Sequence, residues 1–393
     1  MGDLLPVPFG AVGRQGSPLA TSSAHGPPSW DESRRLWWLI WQDCPGIGWC
    51  RLSALEHHCG DLSAAWITPL ERLAAVPGMG PAVLGRLEAY RRRLGPDPLG
   101  AVRRTGLSSR VLLPGDLAFP RALLELERPP LALHWLGRGS LWSPLRRRQA
   151  VAVVGTRHPS RHGLAMARAI GSALARAGWP VVSGLAEGID AAAHRGCLVQ
   201  GGRPVAVLGT PLERVYPRHH EELQRLVAAQ GLLVTEQPSG AGVRPGHFAA
   251  RNRLQVALAR AVVLVECPVL SGALQSAALA WNQGLPLWVV PADAGKLSAA
   301  GSNRLLALGA SALLDPSDLI RQLGPGPLKQ PACSGGSPAG DQGEILRLLG
   351  QGASLEDLCQ ELGRPAADVA RCLLELEIAG RVVAEPGLCW RPV

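Results

Sequence analysis

Ten residues from Arg244 to Arg253, reading RPGHFAARNR, hold three arginines, a histidine, an asparagine and a phenylalanine with no acidic side chain. A solvated charge run usually mixes signs, so a one-sign cluster suits an anionic partner. Arg244, Arg251 and Arg253 are of the type that grips phosphates in charge-assisted pairs, while Phe248 is of the type that stacks on a base. Gly155-Thr156-Arg157 adds another guanidinium, and Ser183-Gly184 adds small residues that leave backbone N–H groups open to a phosphate. Each residue also has a plainer reading. The glycines make tight turns, Phe248 belongs to a core, His247 is a structural hydrogen-bonder and Asn252 is a cap.

These residues converge only if the elements carrying them bring them to one edge. Val151 to Val154 is a short β-branched run stopped by Gly155, which predicts a strand buried on both faces. From about Gly163 apolar residues recur at helical spacing and stop at Gly178. The same alternation returns at Pro180–Gly184, Arg203–Thr210, Gly231–Glu236, Ala261–Glu266 and Leu285–Pro291. Strand, loop and helix in rotation predict an α/β fold, a mainly parallel Rossmann-like sheet with helices on both faces. Ligands bind such sheets where the strands terminate at their carboxyl ends. Gly155, Thr156, Arg157, Ser183, Gly184, Gly209, Thr210 and Glu236 are all predicted at that edge.

VAVVGTR, VVSGLAEGIDAAAH, VAVLGT followed by VYP, RPGHFAARNR, SGAL and VVP, in this order, resemble the DprA/Smf family of DNA-processing proteins. The resemblance covers about residues 30 to 323, with a family C-terminal domain after it. It implies an extended Rossmann-like fold that binds single-stranded DNA in a basic pocket, forms a homodimer and loads the recombinase RecA onto incoming strands during natural transformation. It implies no catalytic activity. Carried over by position, the family's pocket arginine falls on Arg157, its Ser-Gly pair on Ser183 and Gly184, and its RNR motif on Arg251, Asn252 and Arg253. Its upstream basic residue falls on Arg244 to within about one position. There are two departures. Glu187 stands where many relatives have arginine, lowering the positive potential, and Gln275-Ser276-Ala277 replaces the common ITA.

The chain of 393 residues has a net charge of +9, with 38 of its 40 basic residues arginine. Residues 1–30 are rich in Gly, Pro and Ser and read as disordered. Residues 31–100 read as helical, carrying Pro45-Gly46-Ile47-Gly48 and Val76-Pro77-Gly78-Met79-Gly80 between amphipathic runs. Such turns resemble helix-hairpin-helix motifs in a SAM-like domain, while the tryptophans around them are spaced as a core. Residues 101–323 form the expected sheet domain, 324–340 a flexible linker and 341–393 a winged helix. The predicted recognition helix of that winged helix offers Arg371 alone against Asp368, Glu375 and Glu377. Residues 341–393 hold 5 basic against 9 acidic side chains. A groove-reading helix is usually basic, so this winged helix is expected to contact protein or to be regulatory.

Nine cysteines without a CxxC pair suit free thiols in a reducing cytoplasm. No apolar run approaches a membrane span, and neither a metal nor a cofactor is expected. An alternative reading is a Rossmann-like hydrolase of the nucleoside-monophosphate phosphoribohydrolase type, but its loop would need a catalytic glutamate that PVLSGALQSAALAW lacks. A dinucleotide oxidoreductase would need a GxGxxG after a strand, and there is none. Asp190 and His194, four apart on a helix, could pose as acid and base, but an N-terminal cap with a polar helix face explains them about as well, so no catalytic residue is assigned.

Overall fold

A computed structural model of the protein describes residues 30–106, 110–329, 341–350, 352–385 and 389–392. The disorder expected over the first 30 residues and most of the expected linker therefore lie outside the described residues. Six helices come first: α1 (Glu32–Gln42), α2 (Trp49–Cys59), α3 (Leu62–Ile67), α4 (Leu70–Leu73), α5 (Pro81–Leu94) and α6 (Pro98–Gly106). Their apolar faces enclose a core in which Trp38, Trp41 and Trp66 are buried with Leu52, Leu55 and Leu87. Tryptophan at these positions fills volume and is not a platform for bases. The two Pro-Gly turns are laced together by Arg51, which donates to the carbonyls of Gly78 at 2.8 Å and Gly46 at 2.7 Å.

The sheet follows. Strands β1 (Val111–Leu112) and β2 (Leu133–Gly137) precede α7 (Trp142–Arg146), and β3 (Val151–Val154) leads into α8 (Arg161–Ala177). Ser160 caps α8 by accepting from Gly163 N, and Gly178, the stop that the sequence predicts, ends it in a left-handed conformation. Then come β4 (Val181–Ser183), α9 (Ile189–Val199), β5 (Pro204–Leu208), α10 (Glu221–Gln230), β6 (Leu232–Thr235) and α11 (Pro245–Ala257). The body closes with β7 (Ala261–Leu264), α12 (Gly272–Asn282), β8 (Leu287–Val289), α13 (Ala300–Ala307), β9 (Ser311–Ala312) and α14 (Pro316–Leu323).

The nine strands lie in the order β1-β2-β6-β5-β4-β3-β7-β8-β9. From β6 to β9 every neighbouring pair is parallel, while β1 and β2 extend the sheet antiparallel beyond β6. All six strands expected from the sequence are parallel members of this sheet. The chain builds outward from β3 through β4 and β5 to β6, then crosses back to place β7 on the other side of β3. Such a reversal opens a crevice at the carboxyl ends of the central strands. Alternate residues of the central strands feed opposite cores. Val151, Val153 and Val263 pack with α8 and α9, whereas Ala152, Val154 and Val262 pack on the other face.

The C-terminal part has α15 (Asp341–Leu349), β10 (Ala353–Ser354), α16 (Leu355–Leu362), α17 (Ala366–Ile378), β11 (Val382–Glu385) and β12 (Cys389–Pro392), with sheet order β10-β12-β11. This is the winged-helix arrangement. Among the described residues no helix is long and apolar enough to cross a membrane.

Candidate nucleic-acid interface

Arg157 leaves the end of β3 and is exposed. Its guanidinium carbon lies 5.6 Å from the centroid of the Phe248 ring, close enough for a cation–π contact. Phe248 sits on the second turn of α11, half-buried, and its ring meets Tyr216 with centroids 4.8 Å apart at 45°. Gly209, at the end of β5, makes this approach possible, because a Cβ there would lie 2.9 Å from the Phe248 ring. Arg157, Gly184, Glu187, Tyr216 and Phe248 thereby line a cleft of about 40 Å³ where β3, β4 and β5 terminate. An arginine, two aromatic rings and backbone meet in one concave place. That is the equipment for holding a phosphate beside a stacked base.

Beneath the cleft lies a second, buried layer. Arg251 is only 4% exposed and donates from Nη1 to the carbonyl of Val207 at 2.6 Å. Its guanidinium lies against the α-carbon of Gly184, so that no side chain fits at residue 184. Asp190 accepts from Gly184 N at 3.0 Å. Burial pushes its carboxyl above the usual range, and the Arg251 charge opposes that. His194, one turn along α9, is fully buried and neither of its ring nitrogens has a hydrogen-bond partner. Desolvation, with Arg251 and His220 adding to it, drives its pKa down to about 3. It stays neutral and enclosed, as a core residue rather than a proton carrier.

The structure therefore divides the residues expected at the site. Arg157, Phe248 and Gly184 line the cleft. Arg244 is exposed at the N-terminus of α11 and His247 is half-buried one turn on. Gly155 and Thr156 form the turn beneath Arg157, but the Thr156 N–H donates to the Glu266 carbonyl at 2.7 Å.

The structure places five of the expected residues away from the open surface or gives their polar groups partners within the protein. Arg251 is enclosed because α11 runs from the rim into the body, so the face that is open at Arg244 and Phe248 is covered one turn later. Ser183 is fully buried and donates to the Val153 carbonyl at 2.6 Å, leaving its hydroxyl no role at the surface. The Gly184 amide, expected to face a phosphate, is taken by Asp190: the protein supplies its own anion there. Arg253 is paired with Glu236 at 2.6 Å, both side chains mostly buried. Asn252 points the other way, with its amide 3.3 Å from the Gly272 carbonyl.

Reading the residues did not assign a site role to Tyr216, whereas Glu187, expected to lower the positive potential there, does line the cleft. The VYP triplet after β5 was the available signal for Tyr216. His220, which bonds the Leu185 carbonyl at 2.9 Å, and His219, whose Nε2 is 2.9 Å from the Glu187 carboxylate, carried no pattern that linked them to that loop.

The winged helix keeps its α17 helix on the sheet body. Leu374 and Ile378 pack against the sheet core near Trp135 and Trp142, and Glu377 is 6% exposed. Glu377 lies 3.5 Å from the guanidinium of Arg110, which itself stacks on Trp135 at 4.8 Å and donates to the Gly137 carbonyl.

Comparisons with known proteins agree with this architecture. A family model described as DNA recombination-mediator protein A matches residues 110–324, and one described as DprA winged helix domain matches residues 329–387. The Protein Smf of Synechocystis is 32% identical over 91% of this chain and 98% of its own length. The Protein Smf of Escherichia coli is 34% identical, covering 70% of this chain and 76% of that one. Among solved structures, the DNA processing protein A of Streptococcus pneumoniae is similar with a TM-score of 0.61 at 26% identity, over 73% of this chain and 97% of that chain.

Proposed function

Because the chain belongs to the DprA/Smf family of DNA-processing proteins, we propose that it binds single-stranded DNA at the cleft between Arg157, Tyr216 and Phe248, protects incoming strands and loads RecA on them during natural transformation. The observation that carries this reading is the Arg157 guanidinium held over the Phe248 ring at the carboxyl edge of the sheet. A base stacks on the aromatic pair while Arg157, with Arg244 further along the rim, takes the phosphates. Single strands suit such a site because their bases are free to leave the stack, whereas a duplex hides them. Arg251, Asp190 and Ser183 act one layer down, fixing the turn that carries the cleft wall.

The winged helix is assigned to protein contacts. Its helix α17 is acidic and already engaged by the body, which leaves no basic face for a DNA groove. The protein acts as a cytoplasmic homodimer without cofactor and without catalysis.

The test is a titration of labelled single-stranded and duplex oligonucleotides with the full chain and with Arg157→Ala, followed by RecA filament assembly on strands pre-coated with a single-strand-binding protein. Preferential binding of single strands, weakened in the variant, together with faster filament growth supports the reading. Equal binding of duplex, or no change in the variant, contradicts it.

A further inference from the structure

The cleft contains one group that a phosphate grip does not need, a carboxylate. Glu187 lines it beside Arg157 and Phe248. Its position is fixed from several sides. Leu185, two residues before, holds a left-handed φ of 56° although it is not glycine, and Gly188 after it has φ 78°. The carbonyl of Leu185 is bound by His220 Nδ1, and the Glu187 carboxylate is met by His219 Nε2, both at 2.9 Å. Adjacent histidines from another loop thus clamp the backbone and the side chain of this turn together. The Glu187 side chain remains 42% exposed, so it is held in place without being closed off.

Resting on the single-strand reading above, we infer that Glu187 reads the base edge and makes the cleft favour guanine over thymine. A carboxylate only accepts hydrogen bonds, and a guanidinium only donates them. Side by side they ask for a base edge with an acceptor next to donors. Guanine has O6 as acceptor and N1–H and N2–H₂ as adjacent donors. Thymine presents O4 and a single N3–H, followed by O2, a second acceptor that faces a carboxylate unfavourably. Glu187 and Arg157 line the same cleft as Phe248, so a base stacked on that ring turns its polar edge toward them. The same carboxylate repels phosphate, which keeps backbone contacts on the rim at Arg157 and Arg244.

The experiment compares an all-thymine oligonucleotide, the same strand with isolated guanines, and the same strand with inosine at those places. Inosine keeps N1–H and lacks the N2 amino group. The full chain should bind the guanine strand roughly 10-fold more tightly than the thymine strand, the scale of one good two-point base contact, with inosine between them. Glu187→Gln should bring the strands together, chiefly by improving thymine, because its amide N–H₂ faces O2. Equal affinities in the unaltered protein, or a preference that persists in Glu187→Gln, would overturn the inference and leave single-strand binding standing. Failure to bind any strand would overturn the single-strand reading, and this inference with it.

Discussion

The guanidinium of Arg251 lies where a side chain on Gly184 would have to be. One residue ends β4 and the other sits mid-way along α11, so the contact locks the helix that brings Phe248 to the strand whose loop brings Glu187. Two segments 67 residues apart in the chain thereby act as one wall of the cleft.

Replacing Gly184 by alanine tests that lock. The added methyl would overlap the buried Arg251 guanidinium, and overpacking of this kind costs about 1–3 kcal/mol. Urea unfolding of Gly184→Ala should show that loss together with weaker oligonucleotide binding. A variant as stable as the parent would mean that Arg251 is free to move.

The two arginines should separate cleanly by what they damage. Arg157→Ala removes an exposed charge, so stability should stay within about 0.5 kcal/mol while affinity for single strands falls by about 1–3 kcal/mol. Arg251→Ala leaves the Asp190 carboxylate buried without its nearby cation, which costs about 3–5 kcal/mol of stability. Thermal unfolding beside a binding titration measures both. The pattern reversed would put Arg251, not Arg157, at the surface that meets DNA.

Acid sensitivity follows from the buried imidazoles. The pKa of His194 is held at about 3 and that of His134 at about 4, both by desolvation, whereas an unfolded histidine titrates near 6.5. Below that value the unfolded chain takes up protons that the folded one refuses. The stability these residues contribute is complete above about pH 6.5 and is lost as pH falls toward their folded values. Unfolding free energy should therefore drop between about pH 7 and pH 5, and His194→Gln should flatten the slope. An unchanged slope in the variant would show that His194 gains its proton in the folded state.

At the other end of the molecule, Glu377 joins α17 to Arg110. Burial raises its carboxyl above the usual range and Arg110 draws it back. Glu377→Lys would bury a second cation beside Arg110 and should release the winged helix from the body. Small-angle scattering should then report a larger radius of gyration, with cleavage by protease between residues 330 and 340 becoming faster. Unaltered scattering would show that the apolar contacts of Leu374 and Ile378 hold the domain without the ion pair.

The parallel sheet was legible because its strands are buried on both faces and so read as short apolar runs, the first of them followed by a helical pattern with a glycine stop at Gly178. Strands β1, β2 and β9 were not, since two of them have two residues each and β2 mixes His134 with apolar neighbours. For the candidate site, residue types pointed to the carboxyl edge of the sheet, and Arg157 and Phe248 lie together there. What the pattern could not convey is depth. Arg244, Phe248 and Arg251 share one helical face, and only the path of α11 into the body decides which of them meets solvent. Nor could spacing reveal that Asp190 turns back to take the Gly184 amide, or that histidines about 30 residues further on fasten the Glu187 loop.

The most direct test of the account is a fluorescence-anisotropy titration of one single-stranded oligonucleotide, at several salt concentrations, against the full chain, Phe248→Ala, Arg157→Ala and a chain lacking residues 341–393. The account predicts that both point variants bind more weakly, that Arg157→Ala has a shallower salt dependence because one phosphate contact is gone, and that the deletion binds like the parent. Normal binding by both point variants with binding abolished by the deletion would move the site to the winged helix and contradict it.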